Sequence, residues 1–206
     1  MLPKTEDLDP CINEGNESKE VEPQQVKKIR EFAVPQPEDV DSEDLVFAAI
    51  NQNKKKITKA KKDGKLAVGL DISFTDNPFL IQFSFRAPKD KQELWGKVTY
   101  KGHVIIPVKF PDERPLVVFE ESVKHFHVYP DGEMCWKFPE DWVGTYDLID
   151  VLTNIWILFF NEINDESPAD PKLARLMARD PKEYYDFIKE QRKRLEESQS
   201  LDTENK

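Results

Sequence analysis

Three observations predict an α+β fold in which helices pack against one antiparallel sheet. Between residues 66 and 121 four apolar segments follow one another, LAVGLDISF, FLIQFSFRAP, WGKVTYKGHVIIPVKFP and PLVVFEE, separated by the turn sequences TDNP, PKDKQE and PDERP. Residues 145–160 then place apolar side chains at 148, 149, 151, 152, 155, 156 and 159, the spacing of a helix with a wide buried stripe. Finally, Asp-Pro occurs at 170–171 and again at 180–181, each an acidic cap with proline in the first helical turn. Strands joined by short turns pair as an antiparallel meander, and the later helices cover its apolar face.

The elements follow in order. Residues 1–40, with EDLDP, NEGNESKEVEPQQ and VPQPEDV, hold too few apolar side chains to offset the entropy of ordering and are expected to form a disordered acidic tail. Within it VKKIREF, at 26–32, reads as a solvated turn, with a short helix formed on a partner as the alternative. Ser42 supplies an N-cap, acids fill the next turn, and lysines gather where the helix dipole favours cations. Leu45, Val46, Ala49 and Ile50 are expected to share one face, and Gly64 to stop the helix. In the second strand Phe79, Ile81, Phe83 and Phe85 alternate with Leu80, Gln82 and Ser84, which gives the sheet its apolar side. A long connection over 122–144 precedes the apolar helix, two Asp-Pro helices complete the core at about residue 195, and 196–206 is expected to be a flexible tail.

With 206 residues there is room for one core and its flanks, since single domains cluster near roughly 100 to 150 residues. A formal charge of -10 argues against sequence-independent nucleic-acid binding, which rests on Lys and Arg neutralising phosphates. The longest apolar run, VLTNIWILFF, is about half of what a membrane span needs, and the amino terminus is acidic by Glu6 rather than basic then apolar. The expectation is a soluble intracellular protein without membrane or nucleic-acid partners. Cys11 and Cys135 lie in contexts too different for a disulfide, and the three histidines, His103, His125 and His127, have no further cysteine at metal-ligand spacing. No cofactor or metal is implied. His103, on a strand, reads as a surface or edge residue.

The 122–144 connection is longer than the geometry of its neighbours requires, and long ordered loops tend to be functional. It contains HFHVYPDGEMCW, in which Cys135 stands ten positions after His125 with a Tyr-Pro-Asp-Gly turn between. A lone cysteine is ordinarily a small buried hydrophobe, so the loop alone allows a filler or a nucleophile.

Taken with the order of elements, this segment resembles the active-site region of the ubiquitin-conjugating enzymes, and the resemblance runs from about Asp41 to Leu195. That family places a His-Pro-Asn tripeptide at this distance before its cysteine; His125-Phe126-His127 occupies the place, and Gly132 matches the turn. YKGHVIIPVKFP is similar to the family's Tyr-x-Gly-Gly strand ending in Phe-Pro, FLIQFSFRAP to the strand before it, and Trp142 to a tryptophan about eight residues after the cysteine. The departures are Phe126 for proline, His127 for asparagine, Trp136 for leucine, and a loop at FPDERPLVV shorter by roughly four residues. That shortening removes part of the ligase contact, so Leu116 is not assigned to it. HVYPDG is close to the matching stretch of the enzyme that conjugates the modifier SUMO.

The resemblance implies a UBC-like fold and an enzyme that carries ubiquitin or a related modifier as a thioester on Cys135 and passes it to a lysine amine. Its partners would be the modifier, an activating enzyme, a ligase and a protein substrate, in cytoplasm or nucleus. His127 would support the loop and the oxyanion in place of asparagine. His125 would be a structural hydrogen-bonding residue rather than a base. Asp165 and Glu166 lie near where the family puts an acid that helps the incoming lysine shed its proton; a capping or solvated role is the alternative. Two other classes compete. One is a non-catalytic variant of the same fold acting as a binding scaffold; the other, an unrelated thiol enzyme, lacks a separate histidine and acid pair.

Overall fold

A computed structural model describes residues 32–41, 45–135, 142–161 and 168–204. The elements are α1 (Leu45–Lys62), β1 (Leu70–Phe74), β2 (Leu80–Arg86), α2 (Gln92–Trp95), β3 (Thr99–Ile105), β4 (Leu116–Phe119), α3 (Leu148–Asn161), α4 (Pro171–Arg179) and α5 (Pro181–Glu204). The four strands form one antiparallel sheet in the order β1-β2-β3-β4, with Ile72 opposite Phe83, Phe83 opposite Gly102 and Gly102 opposite Phe119. This is the expected meander.

Alternation decides which face is covered. Phe79, Ile81, Phe83 and Phe85 are all buried, and α3 lies over them with Leu148, Val151, Leu152, Ile155 and Phe159 inward. The centre is aromatic: Phe159 sits 4.9 Å from Phe85, 4.9 Å from Trp95 and 4.8 Å from Tyr100, centroid to centroid. Gly102 has a packing reason, because an added Cβ would stand 2.6 Å from the Val118 carbonyl.

α1 ends as expected. Gly64 adopts φ 65°, its N–H donates to the Lys61 carbonyl at 3.3 Å and that of Lys65 to the Ala60 carbonyl at 2.9 Å, the paired bonds of a Schellman motif. Its inward face is Val46, Ile50, Asn53, Ile57 and Ala60, and Leu45 is 82 % exposed. The expectation for Leu45 is thus corrected: it is the first residue of the helix and stays exposed, while Ala49, one turn on, packs on the core. Asn53 is buried because its Oδ1 accepts the Leu148 N–H at 2.8 Å, capping α3 across 95 residues.

Both Asp-Pro signals open helices. Asp170 accepts the N–H groups of Lys172 and Leu173 at 3.0 and 3.3 Å, and Asp180 that of Glu183 at 3.0 Å. The last helix runs past the expected boundary at 195, through Glu204, since Gln199 bonds both the N–H and the carbonyl of Thr99 on β3, at 3.1 and 2.6 Å. Upstream, residues 32–41 are part of the folded body: Val40 packs on the core and the Pro35 carbonyl accepts from Asn77 at 2.9 Å. Residues 1–31 of the expected tail, Ser42, and Cys11 lie outside the described residues. His103 is also corrected from a surface position to a buried one, because β3 is an inner strand and β4 with Glu120 covers it.

Candidate active site

The segment 127–135 is a short hairpin laid against the edge of β4. The Gly132 N–H donates to the Tyr129 carbonyl at 2.9 Å across Pro130 and Asp131, and the Tyr129 N–H to the Glu133 carbonyl at 2.8 Å. Gly132 has φ 94°, and an added Cβ would sit 3.1 Å from the Phe119 carbonyl. The Asp131 carboxylate accepts the Glu133 N–H at 3.0 Å. The returning limb donates from Met134 to Val117 at 2.8 Å, while Phe119 donates to Gly132 at 2.9 Å. Gly132→Ala is therefore expected to cost about 1–2 kcal/mol, read as a lowered urea midpoint at unchanged slope.

Pairing fixes the faces. Val128 and Met134 form a bridge and point into the core, while His127, Tyr129, Glu133 and Cys135 share the opposite face. Cys135 is a half-buried free thiol. Its backbone is held at both ends by one residue: the Cys135 N–H donates to the His127 carbonyl at 2.6 Å, and the His127 Nδ1–H donates to the Cys135 carbonyl at 3.2 Å.

His125 sets the other end of the hairpin. Its Nδ1 accepts the His127 N–H at 3.0 Å, so the ring proton is on Nε2, which donates to the Phe159 carbonyl at 2.9 Å. The ring stacks on Phe159 with centroids 4.5 Å apart. Burial, followed by the charge of His127, pushes its pKa down to about 3. A ring so held is neutral at pH 7, with both of its nitrogens engaged by backbone groups. Phe126, where the resembled family has proline, is buried, stacks 5.1 Å from Tyr184 and accepts the Ala169 N–H on its carbonyl at 2.7 Å.

One neighbour escaped the sequence reading. Tyr129 lies beside Cys135, and the neighbouring sulfur is the main cause that raises the phenol above its usual range. The available signal was period-two arithmetic: in a hairpin pairing 127 with 135 and 129 with 133, Tyr129 and Cys135 are diagonal neighbours on one face. Glu133 is pushed up by burial and by Asp131, with Arg114 opposing.

The structure thus brings His125, His127 and Cys135 together. Asp165 and Glu166, like Trp136, lie outside the described residues. Where the chain is described again after the cysteine, Trp142 donates to the Pro111 carbonyl at 2.8 Å and its ring lies 6.3 Å from Phe110, beside a cis Phe110-Pro111 bond. Among the described residues no three His, Cys, Asp or Glu side chains converge as a metal would require.

Residues 50–192 match the sequence profile of the family described as Ubiquitin-conjugating enzyme. Ubiquitin-conjugating enzyme E2 3 of Arabidopsis thaliana is 32% identical over 91 residues, which is 44% of this chain and 60% of that protein. Ubiquitin-conjugating enzyme E2 2 of Kluyveromyces lactis is 35% identical over 83 residues, 40% of this chain and 50% of that one. The protein of the same name from Saccharomyces cerevisiae is 35% identical over 83 residues, covering 40% and 48%. The matched part spans about half the length of these relatives.

Proposed function

Because this chain belongs to the ubiquitin-conjugating enzyme family, we propose that it carries ubiquitin or a ubiquitin-like modifier as a thioester on Cys135 and transfers it to a lysine amine. The observation that carries the reading is the placement of Cys135: a free, half-exposed thiol at the end of a hairpin, its peptide held by His127 at both ends.

Two acyl transfers at one sulfur make up the chemistry. The Cys135 thiolate attacks the modifier's C-terminal carbonyl on an activating enzyme's thioester, the C–S bond to that enzyme breaks, and its thiolate leaves. A lysine amine, having shed a proton, then attacks the new thioester, forms the amide and releases the Cys135 thiolate. Asp165 or Glu166 would take part in that deprotonation. Tyr129, as a donor beside the sulfur, steadies the thiolate as it is released. A ligase and a protein substrate complete the set of partners, in cytoplasm or nucleus.

The test is incubation with an activating enzyme, ATP and a panel of modifiers, followed by a non-reducing gel. The parent is expected to form a reductant-labile adduct, Cys135→Ser a reductant-stable oxyester or none, and Cys135→Ala none. An adduct that persists in Cys135→Ala overturns the assignment, and a parent that loads no modifier favours the binding-scaffold reading.

His127 separates this chain from the family's asparagine. Its Nδ1–H is spent on the Cys135 carbonyl, so it acts as a positioning residue that holds the cysteine's peptide. His127→Ala is expected to leave loading nearly intact and to slow discharge to free lysine by up to about a hundredfold, the scale of misplacing a reacting group by about 1 Å. His127→Asn, which keeps a donor, is expected to recover most of the rate in a single-turnover chase. Equal slowing by both would show that ring size alone matters.

A further inference from the structure

We propose that the acidic segment 6–22 of this chain docks on a lysine stripe along α1. Several α1 lysines are already satisfied. Lys56 pairs with Asp147 at 3.2 Å, Lys61 bonds Asp71 at 2.5 Å, and Lys54 lies 5.5 Å over the Phe74 ring. Lys55, Lys59 and Lys62 are exposed and pair with no acid among the described residues. At i, i+4 and i+7 they stand in one line on the helix, and exposed Lys65 continues beyond its end. The helix dipole favours Lys59 and Lys62 in the last turn, but Lys55 lies outside that turn, and like charges at this spacing oppose the helix. The stripe is a surface prepared for an anion.

The chain supplies one. Within its first 22 residues Glu6, Asp7, Asp9, Glu14, Glu17, Glu20 and Glu22 face only Lys4 and Lys19, whereas Lys27, Lys28 and Arg30 lie between this acidic stretch and the folded body. Reach is sufficient. The chain enters the fold at Pro35, tied to Asn77, and Phe79 two residues on packs 5.5 Å from Phe47 near the start of α1. From Phe47 to Lys62 the helix rises about 22 Å, while the thirteen residues from Glu22 to Pro35 span up to about 43 Å when extended. A tethered ligand is present at an effective concentration on the order of millimolar, which gives it an advantage over a second copy of the chain in dilute solution. An acidic partner approaching α1 would have to displace the segment first, so the stripe discriminates among partners by their charge.

Zero-length carbodiimide cross-linking of the full chain, at low protein concentration and low salt, tests this directly. Equal mixing of unlabelled and 15N-labelled protein separates links within one chain from links between chains. Links from Glu14, Glu17, Glu20 or Glu22 to Lys55, Lys59 or Lys62 are expected within one chain. They should fall several-fold at about 1 M salt, where the Debye length shrinks to ~3 Å. In a Lys59→Gln and Lys62→Gln double variant the links to Lys55 should also fall several-fold, because the stripe has lost two of its three charges. Links spread evenly over Lys89, Lys91, Lys124 and Lys182, links only between chains, or no links at all would each overturn the proposal.

Discussion

Replacing Leu152 by Asp is expected to abolish cooperative folding. Leu152 is 1 % exposed on the inner face of α3, among Leu148, Val151 and Ile155. An unpaired charge at such a place costs several kcal/mol on top of the lost apolar contact, against a total stability of about 5–15 kcal/mol. Ile155→Asp is expected to do the same. Ile157→Asp, at a position on the same helix that is 38 % exposed, should melt close to the parent. Circular dichroism melts of the three variants check this, and a cooperative transition in both inner-face variants would show that α3 is not the lid of this core.

The second large effect is a loss of stability in mild acid. His125 has an ordinary value of 6.5 and is held near 3 in the fold, so between those values the unfolded chain binds a proton that the folded chain refuses. Its contribution is fully present above pH 6.5 and declines as pH falls toward 3. Between pH 7 and pH 5 this amounts to about 2 kcal/mol. His103, depressed by burial with Glu120 opposing, adds in the same direction. Urea midpoints of the parent at pH 7, 6 and 5 should fall steadily, and His125→Gln, whose amide can still donate to Phe159, should flatten most of that slope. An equal slope in the variant would place the sensitivity elsewhere.

Much of this was legible because the relevant signals are local. The alternation of Phe79, Ile81, Phe83 and Phe85 is a property of one strand, Asp170 and Asp180 bond N–H groups two or three residues on, and the ten-residue interval from His125 to Cys135 is simple counting. What stayed hidden depends on distant chain. Leu45 is exposed while Ala49, one turn on, packs on the core, a difference the helix's own spacing does not carry; His103 is buried because β4 and Glu120 arrive on its far side. The short α2 has only four residues, too few for any periodicity, and is held from outside by Arg192, which donates to the Glu93 carbonyl at 3.0 Å. The extension of α5 through Glu204 likewise rests on Gln199 meeting β3, a contact separated by 100 residues. Tyr129 needed a pairing scheme before its nearness to the thiol could be counted.

The hairpin's attachment to β4 turns chain length into a constraint on chemistry. Met134 is anchored on Val117 and Gly132 on Phe119, so the sulfur is stationed one residue beyond a fixed peg. Insertion of one residue between Gly132 and Met134 would exchange the two faces, sending the cysteine side chain inward and Met134 outward. Away from Cys135, a substitution of side chain in this segment is therefore a milder perturbation than a change in its count, and natural variation here should alter which residues appear more readily than how many.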